Sequence, residues 1–414
     1  MSDDGAVTQP EPAHKPDVPD DTTHDTTHDT TDNVPEDTSN ARGRHRLLLP
    51  AAVVVLVVGL VVAAFTVPVD RVIEAPGPTW NVLGTVSQDD PQDLVTVSGT
   101  QTYPTEGALM MTTVSVTGCP GYPVTVANVV VAWLSPDQTV LDREQVCPKE
   151  VSAEEINERN ETQMTGSQDA AVVAALEEAG LAESMTLTVT GVAEEQAGTD
   201  IAAGDVLVSL TPKGAQTTTL STYAQLRELM TTIDPGTEVT LEVLRDGQQV
   251  STTLTTLPPG AMDGSEGATE DASGSLLGLH LDVAADSDIE AEFGLPEVGG
   301  PSAGMMFALA IVDKVTPGSL TGGQDVAGTG TISVDGQVGA IGGIQQKMAG
   351  ASGAGADYFL APAGSCEEVV GHEPEGMQVF AVATLHEAVQ AVEGIALGDT
   401  SGLTTCSSLQ DRQD

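Results

Sequence analysis

The sequence predicts an α+β protein placed behind one apolar helix, and three observations carry that expectation. Runs such as LMMTTVSV from Leu109 and MTLTVTGV from Met185 alternate apolar and polar residues with the period of a strand. MTGSQDAAVVAALEEAG, from Met164, places Ala and Val at helical spacing after a Ser-x-Asp start and closes on Gly180. Residues 47–68 carry no charge, about the length of helix that crosses a hydrocarbon layer. At 414 residues the chain is long enough for two or three domains and a sizeable core.

Taken in order, 1–41 is an acidic tail with 11 acids, one base and the repeat DTTHDTTHDTTD at 21–32. It has almost nothing to bury and is expected to be disordered and cytoplasmic; His24 and His28 read as solvated tail residues rather than a metal site. Arg42, Arg44 and Arg46 precede the apolar run and Asp70 follows it. The positive-inside rule therefore predicts one transmembrane helix at 47–68 in a bacterial cell membrane, with everything after it outside the cytoplasm. A cleaved signal peptide is the alternative, disfavoured by the long polar leader. Residues 71–135 read as strands, VTVANVVVAWL from Val124 among them. Between 184 and 257 come two strands, the helix YAQLRELMTTI and a hairpin turning at Asp246-Gly247, a small strand-rich unit. Residues 258–275 are acidic and Gly-rich and read as a linker. A second domain is expected at 276–396, with 397–414 as a tail.

Acids number 61 against 14 Lys plus Arg, for a net charge of −47, and after the apolar run the balance is still 50 acids to 10 bases. Nucleic acid is excluded as the main partner. Cys119, Cys147, Cys366 and Cys406 all follow the span, on the side where disulfides persist. Of three connectivities the sequence-near pairs Cys119–Cys147 and Cys366–Cys406 are favoured; neither C-x-x-C nor H-E-x-x-H supports zinc, and no metal or cofactor is expected.

Two residues between 276 and 362 stand apart. Ser302 sits among the small residues Gly300, Ala303 and Gly304, directly before an apolar helix. It reads either as an N-cap or as a nucleophile whose oxyanion the helix-start N–H groups would hold, the small neighbours leaving room for a substrate backbone. The string G-P-S-A-G also fits G-x-S-x-G of α/β-hydrolases, with Asp357 before His372 and His386, but Pro301 spoils the strand that a nucleophile elbow needs. A buried neutral lysine is the other base available. The chain has five lysines, and Lys314, 12 residues along the same helix, would stand roughly 18 Å away. Lys347, on a separate element after Gly342-Gly343, is the candidate.

The segments G-P-S-A-G (300–304), A-G-T-G-T-I (327–332) and I-G-G-I-Q-Q-K (341–347) resemble the proteolytic domain of Lon-type serine-lysine peptidases, and 184–257 resembles a bacterial PDZ domain. The whole is similar to membrane-anchored PDZ-containing Lon-like proteases. That resemblance implies Ser302 as nucleophile, Lys347 as general base and Thr329 as a supporting residue, with protein or peptide substrates and a homo-oligomer as an option. GALMMTTVSV at Gly107 and the helix at Met164 resemble the first strand region and helix of the same domain, making the PDZ unit an insertion after Leu181. No G-x-x-x-x-G-K-[ST] occurs, so the expectation is an ATP-independent endopeptidase acting on unfolded or flexible segments. A non-catalytic membrane-anchored PDZ scaffold is the rival.

Overall fold

A computed structural model describes residues 41–86, 92–119, 121–147, 151–182, 184–259, 274–295 and 298–412; within helices, the side chains of 41–51 and 153 lie outside the description. The expected disordered tail and most of the expected linker fall outside these residues. Helix α1, Ala41–Thr66, covers most of the apolar run. Among the described residues no helix is long and apolar enough to cross a membrane.

Strands β1, Arg71–Asn81, and β2, Ala108–Thr117, come next, followed by helix α2, Val126–Leu134. The sequence reading had a strand at α2. A capping box decides for the helix: Asn128 N–H bonds Thr125 Oγ1 while the Asn128 side chain accepts from Thr125 N–H. Strand β3, Thr139–Asp142, precedes helix α3, Ala153–Glu178. This helix starts well before Met164 because Ser152 and Glu155 form a second capping box, and it stops at Gly180, φ +67°.

The small unit consists of β4, Met185–Val192, β5, Val206–Pro212, helix α4, Tyr223–Thr231, β6, Glu238–Arg245, β7, Gln248–Thr255, and β8, Leu279–Ala285. Its antiparallel sheet has the order β7-β6-β5-β4-β8. Asp246 and Gly247, both at positive φ, turn the β6–β7 hairpin as expected. Strand β8, which the sequence reading put in the second domain, belongs to this sheet: Leu279 pairs with Val192 and Ala285 with Met185.

The remainder is α5, Gly304–Val315, β9, Asp325–Gly328, α6, Ile344–Gly353, β10, Tyr358–Pro362, β11, Gln378–Val382, and α7, Leu385–Leu397. The second sheet has the order β11-β10-β9-β2-β1-β3, parallel from β11 to β2 and antiparallel beyond. It is a mixed sheet between helices, in a chain that mixes α and β as expected. Strand alternation explains the layers. Leu109, Met111 and Val326 face the cluster that contains α5 with parts of α3 and α7, while Ala108, Met110, Ala327 and Phe359 pack with Ile344, Met348 and Ala351 of α6. All of α5 is buried, in keeping with a helix that is almost wholly apolar.

Both expected disulfides are present, with Cα–Cα distances of 6.2 Å for Cys119–Cys147 and 4.9 Å for Cys366–Cys406. By loop-closure arithmetic each contributes roughly 3–4 kcal/mol. The second one, together with the bridge between Phe380 and Thr405, ties the expected C-terminal tail to the sheet edge.

Candidate active site

The reactive groups gather where β9 ends. Thr329 follows the last residue of β9 and is fully buried. Ser302 comes from the turn before α5, on one face of the sheet, and Lys347 from the first turns of α6, on the other. Crevices outside the carboxyl ends of parallel strands are where such elements converge.

The turn at Ser302 is held from several sides. Gly300 has φ +90°, a conformation that favours glycine, and its N–H donates to Asn160 O of α3 at 3.0 Å. Ser167 Oγ, also on α3, donates to Pro301 O at 2.9 Å. Gly304 cannot carry a side chain, since a Cβ there would come within 2.5 Å of Ser167 Oγ and 2.7 Å of Ile332. The carbonyl of Ser302 accepts from Gly330 N–H at 2.8 Å and from Thr329 Oγ1 at 2.9 Å.

With its backbone fixed, Ser302 presents Oγ 2.8 Å from Lys347 Nζ, which also donates to Thr329 Oγ1 at 3.0 Å. Lys347 is only 3% exposed. Burial lowers its pKa to about 8, opposed by the carboxylate of Glu74. Burial also pushes the Glu74 carboxyl up, Glu368 adding repulsion and Lys347 pulling it back. Lys347 thus has ready access to its neutral form near physiological pH, and neutral it can accept the serine proton.

The dyad opens into a cleft of about 440 Å³ lined by Glu74, Trp80, Thr112, Met164, Val298 and Gly300 among others. Ser302 and Ala303 line it too, and among the described residues their N–H groups donate to no other protein group. They are available to an oxyanion. Of the residues singled out by sequence, Ser302, Lys347 and Thr329 are joined by hydrogen bonds, and Gly300, Ala303 and Gly304 shape the turn. Glu74 and Trp80 were missed: they come from β1, more than 200 residues earlier, and no local pattern marks them.

The histidines stand apart from this chemistry. His386 lies on α7 with Nδ1 2.8 Å from Glu178 and Nε2 2.9 Å from Gln390, its pKa raised by the Glu178 hydrogen bond. No strand runs into Ser302 and neither His372 nor His386 lines its cleft, so the hydrolase reading of G-P-S-A-G loses both its elbow and its base. Lys314, as expected, is elsewhere, bonded to Asp93 at 2.8 Å. Among the described residues no group of three or more His, Cys, Asp or Glu side chains is placed to hold a metal.

Comparison with known families bears on these same residues. Residues 286–394 match the family model of the Lon protease (S16) C-terminal proteolytic domain. Ser302, Thr329 and Lys347 all fall inside the matched residues. A relative, Lon protease 2 of Herpetosiphon aurantiacus, is 30% identical over 151 residues, covering 35% of this chain and 18% of its own length. The chain therefore spans under a fifth of the curated relative it matches. The likeness is to a proteolytic domain and covers about a quarter of this chain.

Proposed function

We propose that this chain is an ATP-independent serine endopeptidase, with Ser302 as nucleophile and Lys347 as general base. The observation that carries the reading is the 2.8 Å contact between Ser302 Oγ and a buried Lys347 Nζ whose pKa lies near 8. In the acylation step neutral Lys347 takes the Ser302 proton, Oγ bonds to the scissile carbonyl carbon, and the oxyanion is held by the N–H groups of Ser302 and Ala303. Collapse of the tetrahedral species breaks the C–N bond as the lysine proton passes to the leaving amine. Water then attacks the acyl ester in the reverse sense, with Lys347 again the base, and regenerates Ser302. Thr329 orients Nζ through its hydroxyl and holds the Ser302 carbonyl.

The sequence carries no phosphate-binding G-x-x-x-x-G-K-[ST] loop, which supports action on unfolded or flexible chains without a motor. The uncharged run at 47–68, helical as far as Thr66, supports a single-pass anchor with the active site outside the cytoplasm. We infer that the small sheet unit is a PDZ-like module that docks substrate or gates the cleft. The test is cleavage of casein by the full-length chain in detergent, beside Ser302→Ala and Lys347→Ala. Activity lost in both variants is the expected result. Activity retained by either removes the dyad, and no turnover in any form together with a serine that resists acylating probes leaves a scaffold.

A further inference from the structure

We propose that α2 is an interfacial helix that seats its outer face in the headgroup region of the bilayer from which the chain emerges, an inference that rests on the single-pass anchor proposed above. The helix reads VANVVVAWL, with no charge. Val129 and Ala132 are buried in a small cluster with Ile73 and Val124. The other side is equally apolar and faces outward: Val126, Val130, Val131, Trp133 and Leu134 are exposed, Trp133 at 74% and Leu134 at 81%, and Tyr122 just before the helix at 90%. At about 100° per residue the five helical positions form one continuous arc of roughly 160°. Asn128, the one polar side chain, lies outside that arc and is occupied in the cap. A surface helix in water keeps a polar face opposite its buried one; a helix apolar on both sides needs a second apolar neighbour.

The path of the chain says which neighbour. The turn of α1 continues to Val67, whose N–H bonds Ala63 O at 2.8 Å, and Pro68 and Val69 then pair antiparallel with Thr125 and Val124. The residue that caps α2 is thus about 4.8 Å, one strand spacing, from the chain as it leaves the apolar helix. Trp133 lies eight residues further, about 12 Å along α2. Tryptophan and tyrosine concentrate at the boundary between lipid and water, and an uncharged apolar arc suits a helix lying in that plane. With a net charge of −47 the protein gains nothing from anionic headgroups, so the occupant is the apolar and zwitterionic part of the interface.

The experiment reconstitutes the full-length chain in phosphatidylcholine vesicles, with and without bromine near the headgroup end of the acyl chains. Tryptophan emission of wild type minus that of Trp133→Phe isolates Trp133 from Trp80, and an exposed position tolerates the change. The expected result is that Trp133 loses most of its intensity to brominated lipid and keeps it against aqueous iodide. Quenching by iodide and not by bromine overturns the proposal, and so does resistance to both, which would mean that a second copy or another protein surface covers the helix. Flotation after an alkaline wash separates the two readings: a chain that does not float removes anchor and docking together, and a chain that floats with Trp133 in water removes docking alone.

Discussion

Two cations, each bonded to a fully buried residue, reach opposite solutions: Arg245, at 29% exposure, on the small sheet and Lys347 on the helix α6 packed against the larger one. Arg245 of the small sheet donates through Nε and Nη2 to the carboxylate of fully buried Asp205, at 2.7 Å each, and through Nη2 to Asp200 O. The pair keeps both charges: the Arg245 hydrogen bonds hold Asp205 below the usual carboxylate range, and those to Asp205 raise Arg245. Lys347, buried to a similar depth as Asp205, is bonded to two hydroxyls instead of a carboxylate, and its charge is disfavoured. A bonded carboxylate fixes a charge and serves the fold. Hydroxyl partners leave the proton mobile and serve catalysis.

The strongest way to break this contrast is Lys347→Arg, which restores a permanent charge of similar size at the base. Guanidinium does not give up its proton, so kcat/KM for casein peptides falls by about a thousandfold or more, and a variant with substantial activity would remove the lysine from its role. Thr329→Val takes away the hydroxyl between Lys347 and the Ser302 carbonyl. The expected effect is a roughly tenfold to hundredfold loss in kcat with little change in KM, and an effect on KM alone would make Thr329 a substrate contact. Asp205→Ala tests the other cation. The melting temperature drops by roughly 5 °C while the pH midpoint of cleavage stays where it was, because the pair belongs to the small sheet.

The smallest effects are read from pH. With Lys347 near 8, about one tenth of the enzyme carries the neutral amine at pH 7 and about nine tenths at pH 9, so kcat/KM climbs through that window and levels off above it. A profile that falls over the same range would mean the protonated lysine is the active form. The carboxylate of Glu74 favours the charged lysine, so Glu74→Gln moves the midpoint to lower pH. A move to higher pH would mean that Glu74 does not act on Lys347 through its charge.

The legible parts of the molecule are those written in local spacing. Ser302 and Lys347 could be named because small residues around a serine, and a lysine beside paired glycines, are local signals in a chain with only five lysines. The hairpin at Asp246-Gly247 was legible for the same reason. Helix α2 was not, since a run of valines suits a strand and only the Thr125–Asn128 cap shows otherwise. The early start of α3 was written in Ser152 and Glu155 but hidden by the polar first turns that follow. Glu74 and the Asp205–Arg245 pair depend on strand register across long separations, which no window of sequence reports.

The pairing of β4 with β8 has a consequence for how the molecule is put together. The chain enters the small sheet at Met185 and leaves it at Ala285, and these two residues are direct partners, clamped by Asp286, whose carboxylate accepts from Ser184 and Thr186. Entry and exit share one narrow stalk. The larger sheet therefore forms without any strand from residues 185–285. A lineage could discard or exchange residues 185–285 as a cassette by bridging Ser184 to Asp286, and an engineer could splice another folded unit at the same two residues.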